Sequence, residues 1–85
     1  MISLARIAYK RSVARDLKHL DKTRAKAILE MLESYLSENA DAGEPLRGEF
    51  EGLYKLRIGD YRVIYSKTGD GILVLRIGHR SKVYG

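Results

Sequence analysis

Eighty-five residues, 45% of them hydrophobic, can enclose one core, so the sequence predicts a single domain spanning 1–85. Sixteen Lys and Arg against eleven Asp and Glu leave a net charge of +5 at pH 7, which favours an anionic partner, either nucleic acid or an acidic protein. The absence of cysteine excludes disulfides, thiolate metal sites and a cysteine nucleophile together and suits a reducing cytoplasm. Arg6 interrupts the N-terminal run too early for a secretory signal and no stretch reaches the length of a membrane span, so a cytoplasmic protein without membrane contact is expected.

Residues 2–8 predict a short strand, with Ile2, Leu4 and Ala8 as its apolar positions and Arg6 among them, so the alternation is poor. From Lys10 the spacing turns helical: Val13, Leu17 and Leu20 recur on one face, and Arg11, Arg15 and Lys18 lie outside. Asp21 is expected to cap a second helix whose apolar stripe is Ala25, Ile28, Leu29, Leu32, Tyr35 and Leu36. Residues 37–45 carry breakers, ending in Gly43, Glu44 and Pro45, and predict an exposed loop.

Beyond the loop the pattern has period two. The runs 53–58 and 61–65, joined by Gly59 and Asp60, predict a tight hairpin that sets Ile58 opposite Tyr61, Arg57 opposite Arg62, Leu56 opposite Val63 and Tyr54 opposite Tyr65. A second turn at residues 68–71 leads into Ile72–Ile77, a mostly apolar strand; several registers fit that turn, so the face taken by Arg76 stays open. Helices followed by a meander predict an α+β fold, a two-helix hairpin packed on one face of a curved antiparallel sheet of about four strands.

In that hairpin the apolar side chains share one face, and alternation forces Lys55, Arg57 and Arg62 onto the other. Opposed like charges destabilise a sheet, so a hairpin that keeps them is suited to a polyanion. The plainer reading is a solvated face whose cations discourage edge pairing. The C-terminal run 78–84 adds Arg80, Lys82, His79 and Tyr84 just past the last strand. His79 is the group there whose ordinary pKa lies near neutrality, as proton transfer requires, although a loop-end residue bonded to backbone is an equal alternative.

His19 reads as a surface residue, and neither histidine has the companions of a zinc site. Glu44, Glu49 and Glu51 offer a base or a magnesium ligand in principle; the plainer roles are a turn residue for Glu44 and neutralisation of the basic face for Glu51. No phosphate-cradling Gly-rich loop or Ser/His/Asp array is legible, and no metal or cofactor is expected. A cationic patch without metal suits RNA, whose 2′-hydroxyl is an internal nucleophile beside the phosphodiester. Arginine and lysine would offset charge on the phosphorane, and Tyr84 would stack on a base or help take the 2′ proton.

The segments 44–48 (Glu-Pro-Leu-Arg-Gly), 52–65 (Gly-Leu-Tyr-Lys-Leu-Arg-Ile-Gly-Asp-Tyr-Arg-Val-Ile-Tyr) and 77–84 (Ile-Gly-His-Arg-Ser-Lys-Val-Tyr) closely resemble the RelE branch of the RelE/ParE toxin superfamily. With the helical hairpin before them, the likeness covers essentially the whole chain. The resemblance implies a toxin of a type II toxin–antitoxin pair that cleaves mRNA in the ribosomal A site, is inhibited by a cognate antitoxin wrapped around it, and assembles with that antitoxin into a higher-order hetero-oligomer. By position, Lys55 and Arg57 match the family's paired basic residues, Arg62 its phosphate-contacting arginine, Arg80 its C-terminal arginine and Tyr84 its C-terminal tyrosine. Glu44 is similar to the glutamate beside a proline that some relatives use as a base. Arg47, Arg76 and Lys82 are assigned to RNA contact. Arg57 stands where the best-known member has lysine, trading proton transfer for bidentate phosphate binding. The alternatives are a ParE-like toxin that inhibits gyrase without cleaving RNA, and a catalytically inactive binding module of the same fold.

Overall fold

The computed structural model describes residues 6–39, 42–69 and 71–79. Strand β1 (Arg6–Tyr9) is followed by helices α1 (Arg11–Lys18) and α2 (Lys22–Glu38). The chain then enters strand β2 (Glu44–Pro45), a 3₁₀ turn (Gly48–Phe50), and strands β3 (Leu53–Ile58), β4 (Tyr61–Lys67) and β5 (Gly71–His79). The strands form one sheet in the order β1-β5-β4-β3-β2.

Both helices arise where the sequence places them. The Asp21 carboxylate accepts the Arg24 amide at 2.7 Å, satisfying one of the unpaired N–H groups at the start of α2. Ile28, Leu32 and Leu36 are spaced by four and bury against the sheet, with Leu29 partly buried beside them. Tyr35 differs from expectation: it is rotated about 60° around the helix from Leu32, and 42% of its surface is exposed at the margin of the stripe. In α1, Val13 is buried and Leu17 and Leu20 pack on the core.

The β3–β4 hairpin has the predicted register at all four pairs. Gly59 takes φ 60° and among the described residues no non-glycine residue has positive φ, so the link is a mirror-image two-residue turn that follows the strand twist. Leu56, Ile58, Val63 and Tyr65 face the helices and join Ile72, Val74 and Ile77 of β5 in the core; each such buried aliphatic side chain contributes roughly 1.5–3 kcal/mol relative to exposure.

Three features depart from the four-stranded antiparallel expectation. β1 pairs with β5 in parallel, from Arg6 opposite Gly71 to Tyr9 opposite Val74, which makes the sheet mixed and five-stranded. Residues 2–5 of the predicted strand lie outside the described residues. Glu44 and Pro45, expected in an exposed loop, form an edge strand with Glu44 opposite Lys55 and Pro45 opposite Tyr54. The Leu46 amide bonds to the Leu53 carbonyl at 2.9 Å, and since ladder bonds alternate, Pro45 occupies the position that needs no N–H.

The third departure is a register shift between β4 and β5. Ile64 pairs with Arg76 but Tyr65 pairs with Val74, leaving Leu75 as an extra residue. One inserted residue reverses the face of everything beyond it. β5 is also longer than β1, and α1 covers the remainder of its edge: Ser12 Oγ donates to the Leu75 carbonyl, and Asp16 Oδ2 accepts the Ile77 amide at 2.9 Å. No helix among the described residues is long and apolar enough to cross a membrane.

Candidate functional site

The face of the sheet turned away from the helices carries the chain's opposed cations. Arg57 and Arg62 are direct cross-strand partners, which places their Cβ atoms roughly 4.5–5.5 Å apart. Lys55 points to the same side one alternation along β3, and Glu44 shares its row across β2. Two rows result: Glu44, Lys55, Ile64 and Arg76 in one; Arg57, Arg62 and Gly78 in the next. Gly78 brings no side chain to the second row.

Burial within these rows is graded. Arg57 is exposed, Lys55 and Arg62 are half-buried, and Ile64 is only 6% exposed although it belongs to the outer face. Its row neighbours are the long stems of Lys55 and Arg76, which cover apolar surface while their charged ends reach water. Among the described residues neither Lys55 nor Arg57 has an ion-pair partner, so both retain charge for an external anion. Two guanidinium groups and an ammonium on one face, with a carboxylate at its border, can bind a phosphodiester bidentately and offer a base beside it.

Glu44 therefore lies on the row of the cations rather than in a turn. Pairing of a two-residue edge strand leaves little periodic signal, which is why its register could not be read in advance. Arg76 reaches the outer face because of the extra Leu75, yet its guanidinium turns to α1: Nε donates to Asp16 Oδ2 at 3.0 Å and Nη2 to Asp16 Oδ1 at 3.1 Å. The Asp16 hydrogen bonds raise the Arg76 pKa above its ordinary value, so Arg76 stays charged. Asp16, which the sequence reading passed over, thus accepts three hydrogen bonds from β5.

His79 lies on the helix side of the sheet, opposite Tyr61, with its ring edge-on to that tyrosine at 5.7 Å between centroids. It is separated by parity from Lys55, Arg57 and Arg62. A cleft of about 650 Å³ there is lined by Asp16, His19, Tyr61, Arg76 and His79, so both histidines open to one hollow. Arg47 is exposed and precedes the 3₁₀ turn, beside a second cleft that includes Pro45, Glu51 and Tyr54. Arg80, Lys82 and Tyr84 lie outside the described residues. Among the described residues no three His, Asp or Glu side chains converge to hold a metal ion.

Behind the cationic face, Tyr65 is fully buried and its hydroxyl accepts the Gly43 amide at 3.0 Å. Its ring stacks on Tyr54 at 5.4 Å, and Lys67 Nζ sits 4.7 Å from the centre of the Tyr54 ring. Burial pushes the Tyr65 phenol above its ordinary pKa.

A family model described as the ParE toxin of type II toxin–antitoxin system, parDE, matches residues 7–84. The chain is 38% identical over 82 residues to Toxin RelE of Mycobacterium tuberculosis, a match covering 92% of this chain and 84% of that protein. It is 28% identical over 85 residues to Toxin RelE3 of Methanocaldococcus jannaschii, covering 93% and 94% of the two chains. Among solved structures, the toxin–antitoxin complex RelBE2 from Mycobacterium tuberculosis contains a chain that superposes with a TM-score of 0.83 at 29% identity, over 91% of this chain and 99% of that one.

Proposed function

The chain belongs to the ParE toxin family of type II toxin–antitoxin systems, and from that membership we propose that it is a ribosome-dependent mRNA endonuclease held in check by a cognate antitoxin. The observation that carries this reading is the direct opposition of Arg57 and Arg62 beside Lys55 on one accessible sheet face, with Glu44 on the same row as Lys55. A sheet keeps such a pair against its own stability when an anion is to be seated there.

In the proposed reaction the ribosome presents a single-stranded message, and the cations receive the scissile phosphodiester. Glu44 takes the proton of the 2′-hydroxyl, whose oxygen attacks the adjacent phosphorus. As the O2′–P bond forms, Arg57 and Arg62 hydrogen-bond the non-bridging oxygens, which carry more charge in the phosphorane than in the substrate. Lys55 neutralises the same charge. The P–O5′ bond then breaks, and a proton delivered to the departing oxygen yields a 2′,3′-cyclic phosphate and a 5′-hydroxyl. Arg80 is assigned to that departing oxygen and Tyr84 to stacking on a base; His79, on the opposite face, is assigned no step. The reaction as written requires no metal ion.

The antitoxin is proposed to be an acidic chain that covers the cationic face and assembles with the toxin as a hetero-oligomer, consistent with the toxin–antitoxin complex found for the M. tuberculosis relative. Ribosome-bound message places the activity in the cytoplasm. A second reading has one observation in its favour, that the matching family model is the ParE toxin's: a toxin that blocks gyrase and cleaves nothing. Translation in vitro followed by primer extension on the message separates the two. New 5′-hydroxyl ends within ribosome-bound codons support the nuclease, whereas intact message together with blocked DNA supercoiling would establish the gyrase reading instead.

A further inference from the structure

We infer that Tyr65 is a positioning residue, whose buried hydroxyl holds the Gly43 amide and thereby fixes Glu44 in its place on the cationic face. This rests on the nuclease reading for its effect on activity, but the geometry is independent of it. A phenylalanine would fill the same volume in the core without a polar atom, and burying a hydroxyl is unfavourable unless it is hydrogen-bonded. The Tyr65 hydroxyl accepts a hydrogen bond from the amide of the residue immediately before Glu44.

Strand β2 is a short edge strand paired to β3 only at Glu44–Lys55 and Pro45–Tyr54, so the anchor adds to few others. It is two residues long, and one of them is Pro45, which has no N–H to give. On its far side the Leu46 amide bonds to the Leu53 carbonyl; on its near side the next amide donor outside the strand is Gly43, bonded to Tyr65. The tyrosine reaches it from two strands away, its ring stacked on Tyr54 of the intervening β3. Gly43 is packed so closely that a Cβ there would lie 2.7 Å from the Tyr65 hydroxyl oxygen, 2.8 Å from its Cε1 and 2.9 Å from the Lys55 carbonyl oxygen. Only a glycine lets the backbone settle between the phenol and the strand that carries Lys55. The position of Glu44 relative to Lys55 is thus set by a side chain on the opposite face of the sheet, which touches no substrate.

The test uses Tyr65→Phe, which removes one oxygen and retains the ring. In cleavage of ribosome-bound message, kcat should fall by about ten- to a hundredfold while KM stays within about twofold, as expected when a reacting group is displaced by a fraction of an ångström. The double variant Tyr65→Phe/Glu44→Gln should be no slower than Glu44→Gln alone, since the tyrosine acts through the glutamate. Val13→Ala, a core truncation in α1 at the opposite edge of the sheet from β2, serves as the stability control and should leave kcat near the wild-type value. In parallel, hydrogen exchange followed by NMR should show the Gly43 amide losing protection in Tyr65→Phe. Unchanged kcat, losses that multiply in the double variant, or an equal kcat loss in Val13→Ala would each overturn the inference. If the wild-type chain cleaves no RNA, the nuclease reading fails, and Gly43 exchange still decides the positioning claim: unaltered protection in Tyr65→Phe would refute it.

Discussion

Arg62 and Arg57 repel one another across the hairpin, and that repulsion separates a functional residue from a structural one. Replacing Arg62 with alanine removes an anion ligand together with an unfavourable pair, so message cleavage should drop by at least two orders of magnitude while stability changes by no more than about 1 kcal/mol. Urea unfolding run beside the primer-extension assay checks both halves; a large stability loss would mean that Arg62 belongs to the structure. Two tyrosines supply a prediction of another kind. Burial raises the Tyr65 phenol, and burial together with the Tyr9 hydroxyl's bond to Glu33 raises Tyr9. The unfolded chain releases these protons from about pH 10 upward, whereas the folded chain retains them. Stability from this source is therefore complete below about pH 10 and declines as pH rises beyond it. The urea midpoint should fall between pH 8 and pH 11, and the fall should be smaller in Tyr65→Phe; an identical fall in the two proteins would remove Tyr65 from the account.

At the level of elements, the weak places are the sheet's margins and its tightest turn. α1 acts as a substitute strand along the uncovered part of β5, with Ser12 and Asp16 meeting main-chain groups that β1 is too short to reach. Asp16→Ala would strand the Ile77 amide and release Arg76, and should destabilise the fold by about 1–3 kcal/mol. Most of that loss belongs to the amide, because the Arg76 side chain is 52% exposed and its ion pair is screened by water. Asp16→Asn, which keeps an acceptor for Ile77, should recover the larger part; equal losses in the two variants would put the stabilisation in the ion pair. The hairpin turn depends on Gly59 at φ 60°. Gly59→Val should cost more than 1 kcal/mol, through left-handed strain at a β-branched residue, with no change at the cationic face other than looser closure of the Arg57–Arg62 pair.

Over the whole molecule, the net charge of +5 draws in any polyanion, but only Lys55, Arg57 and Arg62 are proposed to hold phosphate closely. For single-stranded RNA, one phosphate neutralised by the three cations predicts that log K falls against log salt with a slope of about −0.7, and Arg62→Ala should make that slope shallower. A slope nearer −4, unaffected by the substitution, would indicate diffuse attraction by the whole surface. Strands β3 and β4 were legible in the residues because alternation, β-branched content and a Gly-Asp link act within a dozen positions; their pairing and the shared face of the three cations followed from period two alone. The two helices and the Asp21 cap were legible for the same reason. Contacts between distant segments were not. β1 finds a parallel partner some 65 residues on, Pro45 hides the short strand that seats Glu44, and one extra residue in β5 delivers Arg76 outward to Asp16 while setting His79 behind the sheet. Local periodicity thus determined what each segment is and which side chains share its faces, whereas only the folded sheet decided which segments meet, since pairing between remote strands depends on register and edge closure that no window of sequence contains.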